Sequence, residues 1–165
     1  MIKAVMIINT EGKARLAKFY EFKSPEKQQE LIRSAYGVLS SRPDNASNFV
    51  EVESIFGPDS RLVYKHYATL YIALVFDSSE NELAMLDLIQ VFVETLDKCF
   101  RNVCEVDIVY NYNKLQIVLD EIIFGGQVIE TNISEITKAA DEISNLEADS
   151  ASISFAKTVS QWRNR

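Results

Sequence analysis

The chain has 165 residues, 47% of them apolar, and sets 24 acidic side chains against 17 basic ones, with one histidine and two cysteines. That length and apolar share suit one globular domain with a real core, and a net charge of −7 speaks against general nucleic-acid binding. Two cysteines make no disulfide scaffold, and no apolar run approaches the roughly 20 residues that span a bilayer. The charge is uneven: residues 1–76 carry 10 basic and 8 acidic side chains, residues 77–165 carry 7 and 16. A weakly cationic first half suits an acidic ligand or lipid headgroups, and equally a plain solvated surface. The apolar start, residues 1–8, stops at Asn9 and Thr10 without a small-residue cleavage site, so no secretory signal is expected. Cys99 and Cys104 are then expected as reduced thiols in the cytosol, and the sequons at Asn45 and Asn132 carry no sugar.

In chain order, residues 2–8 form a β-branched apolar run short enough for a buried central strand. Thr10-Glu11-Gly12 turns it, and residues 15–22 are expected to pair back as a hairpin. Ser24-Pro25-Glu26 starts a helix with a capping hydroxyl and a proline at the first helical position. Leu31, Ile32, Ala35, Val38 and Leu39 continue at helical spacing until Arg42-Pro43 ends it. Strands follow at residues 48–56, 61–67 and 70–76, punctuated by Gly57-Pro58-Asp59-Ser60 and Ala68-Thr69. A second helix opens at Ser79, with Glu82 completing a capping box, and runs to Phe100. A third covers residues 113–124 and is closed by Gly125-Gly126. Thr131 or Asn132 caps a fourth, with Ile133, Ile136, Ala140, Ile143 and Leu146 on one face. From Ala148 the apolar density falls, so residues 1–147 read as one domain and residues 148–165 as a mobile tail. The expected fold is α+β: a five-stranded antiparallel sheet in the order β-β-α-β-β-β-α-α-α, flanked by helices.

Catalytic constellations are missing. Glycines at 12, 37, 57, 125 and 126 form neither a phosphate-binding loop nor a dinucleotide fingerprint, and no cofactor or metal is expected. His66, the single imidazole, stands in a strand; a hydrolase would have to centre on it, whereas the plain reading is a partly exposed strand histidine. The second helix says more. At about 100° per residue, Asp87, Gln90, Glu94, Asp97, Lys98 and Arg101 share a polar stripe, and the apolar positions cover roughly 220°. One sheet face accounts for about half of that, so the remainder must meet the later helices or another molecule, with Val93 at its edge as a candidate pocket wall. Lys13 and Arg15 share a strand face beside a tight turn, either as a small cationic spot or as a solvated edge that discourages aggregation.

Three separated motifs in order carry a family resemblance: the opening Gly12-Lys13-Ala14-Arg15-Leu16-Ala17-Lys18-Phe19-Tyr20, the segment Leu62-Val63-Tyr64-Lys65-His66-Tyr67-Ala68-Thr69-Leu70-Tyr71, and Asn102-Val103-Cys104-Glu105-Val106-Asp107. In these the chain resembles the small sigma subunits of heterotetrameric clathrin-type adaptor complexes, with Ile72 where an aromatic is usual. Asp77-Ser78-Ser79-Glu80 and the second helix are most similar to the sigma subunit of the third, delta-containing complex. The resemblance implies a longin/SNARE-like fold and no enzymatic activity. It implies a large delta-type adaptin and the other adaptor subunits as partners, and peripheral association with Golgi, endosomal and vesicle membranes through them. It also implies cargo selection for lysosomes or vacuoles through acidic dileucine signals in the cytosolic tails of membrane cargo. Carried over by position, Arg15 faces the acidic residue, Ala68, Leu70, Val93, Val103 and Ile108 line the leucine pocket, and Asn102 bonds the peptide backbone. For Leu70 and Ile108 a core role is equally open. Another longin-fold coat or tethering subunit without peptide binding remains the alternative.

Overall fold

The computed structural model describes residues 1–163. Strands β1 (Ile2–Asn9), β2 (Ala14–Phe19), β3 (Phe49–Glu51), β4 (Arg61–Tyr67) and β5 (Leu70–Phe76) form one sheet in the order β2-β1-β5-β4-β3, every neighbouring pair antiparallel. The expected five-stranded α+β sheet is thus present. β1 and β5 sit at its centre because both are apolar on both faces, and a strand with no polar side must be covered twice.

The two coverings differ. Ala4, Met6 and Ile8 of β1 pack with Ile32, Ala35 and Leu39 of helix α1 (Pro25–Ser40). Val5 and Ile7, one residue out of phase, face a larger core built from helices α3 (Glu82–Phe100), α5 (Tyr112–Ile122) and α6 (Ile133–Arg163). Ile2 joins that second core because the β1–β5 register shifts between Ile2 and Ala4, which resets the alternation. α1 begins as expected: Ser24 Oγ accepts the Lys27 N–H, and Pro25 takes the first turn.

Several boundaries differ from the sequence reading. The strand expected over residues 48–56 ends at Glu51, and a one-turn helix, α2 (Glu53–Phe56), follows. Val52 is fully buried and bonded through its N–H to Ser60 O at 3.1 Å, while Glu53 Oε1 accepts the Asp59 N–H at 3.0 Å. The Val52–Ser60 bond continues the β3–β4 register by one step, and beyond it Val52 O accepts the Ile55 and Phe56 N–H groups at 3.0 and 2.9 Å, so the chain turns helical before Gly57, whose φ of +94° closes the turn. Helix α3 (Glu82–Phe100) is capped by Asn81, which accepts from the Ala84 N–H at 3.0 Å, and not by Ser79, which donates to Asp77 Oδ1. A short helix, α4 (Glu105–Tyr110), precedes α5 (Tyr112–Ile122).

Gly125-Gly126 does not cap the third helix directly. It is the two-residue loop of a small hairpin, β6 (Ile123–Phe124) with β7 (Gln127–Val128), with φ of +57° and +81°, the backbone that such loops require. Gly126 also lies under β1: its carbonyl accepts the Ile2 N–H at 2.9 Å, and a Cβ there would come within 2.6 Å of Ile2 O. Helix α6 (Ile133–Arg163) is capped by Asn132, whose Oδ1 accepts the Ser134 N–H at 3.0 Å. Ile136 and Ala140 are buried, Ile133 and Ile143 half-buried, and Leu146 exposed. The stretch read as leaving the helix at Ala148 continues it to Arg163. With neither glycine nor proline beyond Gly126, nothing local stops the helix. All side chains described from Asn145 to Trp162 are exposed. Residues 164–165 of the expected tail lie outside the described residues.

The broad apolar arc of α3 is used within the chain. Met85, Leu88, Ile89, Phe92, Val93 and Leu96 are buried among β5 residues on one side and Leu115, Val118, Leu119, Ile136 and Ala140 of α5 and α6 on the other. Asp87, Gln90, Glu94 and Lys98 are exposed as expected, with Asp97 half-buried. No helix among the described residues is long and apolar enough to cross a membrane.

Candidate functional site

Arg15 stands at the start of β2, where the β1–β2 turn brings the chain back beside α4 and the β4–β5 turn. Its Nε donates to Glu105 Oε1 at 2.8 Å. The same oxygen accepts from Asn9 Nδ2 at 2.9 Å, and Glu105 Oε2 accepts from the Thr69 hydroxyl at 3.2 Å. One carboxylate therefore holds donors from β1, β2 and the β4–β5 turn.

Each donor is set by its local backbone. Asn9 is buried, and its Oδ1 accepts the N–H groups of Glu11 and Lys13 at 3.1 and 2.8 Å, so its amide nitrogen is left to point at Glu105. Thr69 is fixed through its carbonyl, which accepts the Thr10 N–H at 2.9 Å. The turn itself is tight: Gly12 has φ of +88°, and a Cβ there would meet the Tyr36 ring at 2.9 Å. These donors, Arg15 first, hold the Glu105 carboxyl below the ordinary glutamate value, against a smaller opposing effect of burial. The cluster opens on a cavity of about 340 Å³ whose apolar wall is Val106, Val109 and Tyr110, all exposed on α4.

The remaining residues expected at the site lie in two environments. Leu70, Val93, Val103 and Ile108 are 3%, 5%, 8% and 1% exposed and belong to one apolar cluster under α3. Ala68 and Asn102 are exposed at turns, both with left-handed backbone, φ +52° and +67°. Of the seven, only Arg15 lines the cavity beside Glu105. Val93 instead borders a larger cavity of about 550 Å³ between the end of α1, the end of β4 and α3. His66 lies there, stacked on Tyr71 with ring centroids 4.5 Å apart. That contact agrees with a strand histidine, and among the described residues no cluster of His, Cys, Asp and Glu is arranged to hold a metal. Asn9, Thr69 and Glu105 carry no site signal in the sequence. Glu105 lies within the Asn102–Asp107 motif, but its partners lie 36 to 96 residues away, so no local pattern marks them.

Comparison with known proteins places the chain. Clathrin adaptor complex small chains match over residues 1–147. The chain belongs to the clathrin adaptor small-chain family. It is 71% identical to the AP-3 complex subunit sigma of Arabidopsis thaliana across the whole of both chains. It is 45% identical to human AP-3 complex subunit sigma-2, over 99% of this chain and 86% of that protein. In three dimensions it resembles a chain of a homology model of the full-length AP-3 complex in a stretched open conformation, with TM-score 0.72 and 39% identity over 92% of this chain and 98% of that one. The family, its fold and the similarity to sigma chains of the third adaptor complex all agree with the resemblance carried by the three motifs. Small chains of this kind are coat components and not enzymes, which removes the hydrolase reading of His66.

Proposed function

We propose that this small chain is the sigma subunit of an AP-3 adaptor heterotetramer in vesicle trafficking, and that within it the chain stabilises the complex core and helps bind acidic dileucine signals of membrane cargo. The destination is the lysosome or vacuole, from Golgi or endosomal membranes. Relatives named as AP-3 sigma subunits, one at 71% identity over the full chain, support the assembly. The observation that supports peptide binding is Arg15 within a set of carboxylate donors, beside the cluster that holds Leu70, Val93, Val103 and Ile108. A cation for the acid and an apolar seat for two leucines are the two things such a signal needs. In this reading the leucine seat is closed in the chain by itself and opens against the peptide, with Ala68 at its mouth and Asn102 bonding the peptide backbone.

The test is binding of an acidic dileucine peptide to the assembled complex, with Arg15→Ser and Val93→Asp as variants. Loss of binding in both, with assembly retained, is expected. Unchanged binding in both would remove the peptide site and leave a coat subunit without peptide binding. Co-purification with a delta-type large chain tests the assembly separately.

A further inference from the structure

The donors proposed to receive the acid of a cargo peptide already hold a carboxylate of the chain itself. Glu105 places one oxygen on Arg15 Nε and Asn9 Nδ2 and the other on Thr69 Oγ1. A second carboxylate cannot use the same hydrogens; while Glu105 stays in place, it reaches Arg15 only through the Nη groups, beside a carboxylate that repels it. We propose that Glu105 is a specificity-setting residue of the peptide site: in the free chain it holds the Nε side of Arg15 together with Asn9 and Thr69, and there it competes with the peptide's acidic side chain, which binds best by exchange with it. The inference rests on the peptide-binding reading above and concerns only its acidic half.

The segment carrying Glu105 is attached in a way that suits exchange. Glu105 is the first residue of α4, a helix of 6 residues in which only Ile108 is buried. The chain enters through Arg101 and Asn102, both with positive φ, and is tied by the Val103 N–H to Asp97 Oδ1 at 2.9 Å. The donors, in contrast, sit on the sheet and its turns, so the carboxylate can leave while they stay aligned. The peptide's acid then adds to affinity only by what it gains over Glu105, and a site built this way favours signals whose acid and leucines bind together.

The experiment uses the assembled complex, wild type and Glu105→Gln, with two synthetic peptides: one with a glutamate upstream of the two leucines, and the same peptide with that glutamate replaced by glutamine. Glu105→Gln should raise the preference for the acidic peptide over its neutral partner by about 3- to 10-fold relative to wild type. Glu105→Asp, whose shorter arm withdraws the carboxylate from the donors, should give a smaller rise in the same direction and serves where the glutamine variant assembles poorly. A preference that is unchanged or reduced in both variants, while both peptides still bind, overturns the exchange and spares the peptide site. Failure of every complex to bind either peptide overturns the peptide reading and the exchange with it.

Discussion

The two halves of the candidate site are held by different physics. Leu70, Val93, Val103 and Ile108 are part of the main core and nearly inaccessible, so their apolar contacts contribute to folding before any ligand arrives. Arg15, Thr69 and Glu105 meet at the surface with the buried Asn9 beneath them, and are held by hydrogen bonds at 2.8 to 3.2 Å. Substitutions in the first half therefore confound stability with binding, and substitutions in the second read binding more directly.

The largest expected effect is in the apolar half. Val93→Asp buries an unpaired carboxylate among α3, β4 and the cavity wall and should cost about 3 kcal/mol or more, read as a shift of the denaturant midpoint at constant slope. Leu70→Ala comes next, at about 2 to 4 kcal/mol from lost contacts and the void left behind. An undisturbed midpoint for both would mean that this cluster is far looser than its burial indicates.

In the polar half, Arg15→Ser should cost about 1 kcal/mol or less, because the ion pair is partly open to water, while removing the preference for an acidic peptide. The Glu105 carboxyl also reports on this contact. Its pKa is depressed in the folded chain, so its contribution to stability is present above the ordinary glutamate value and is lost as the pH falls through the folded value. Arg15→Ser should move that titration upward, toward ordinary glutamate. Side-chain carbon shifts of Glu105 followed by NMR across acid pH would show it, and an unmoved midpoint would mean that Asn9 and Thr69 hold the carboxylate without Arg15. The smallest effect is expected from removing residues 148–165. Since no described side chain from Asn145 to Trp162 is buried, we propose that this segment is dispensable for folding, with a change within about 0.5 kcal/mol. A larger loss would show that the end of α6 supports the domain.

Much of the fold is legible locally. β1 and β5 announce themselves as unbroken apolar runs, and Ser24-Pro25 writes the start of α1, because strand burial and helix capping depend on residues close in sequence. The misread places share another cause. Residues 53–56 leave the sheet where Val52 O turns to the Ile55 and Phe56 N–H groups and Glu53 reaches across to the Asp59 N–H, and Gly125-Gly126 turns a hairpin because β1 lies against it. The end of α6 carries no apolar signal because apolar density measures packing and not helicity, and a helix already started at Asn132 meets no glycine or proline that would end it. At the site, Arg15 could be carried over from a motif, whereas Glu105 as its occupant could not.

The sequence by itself determined the sheet, its double covering, the lack of a catalytic apparatus and the family. These follow from composition, short-range periodicity and ordered motifs, all of which are local. Only the tertiary structure decided that the apolar arc of α3 is spent within the chain, that the expected leucine walls are core, and that Arg15 already holds a carboxylate. Each of those depends on contacts between segments far apart in the chain, and a contact is specified by the packing of the whole sheet and its helices rather than by the residues on either side of it.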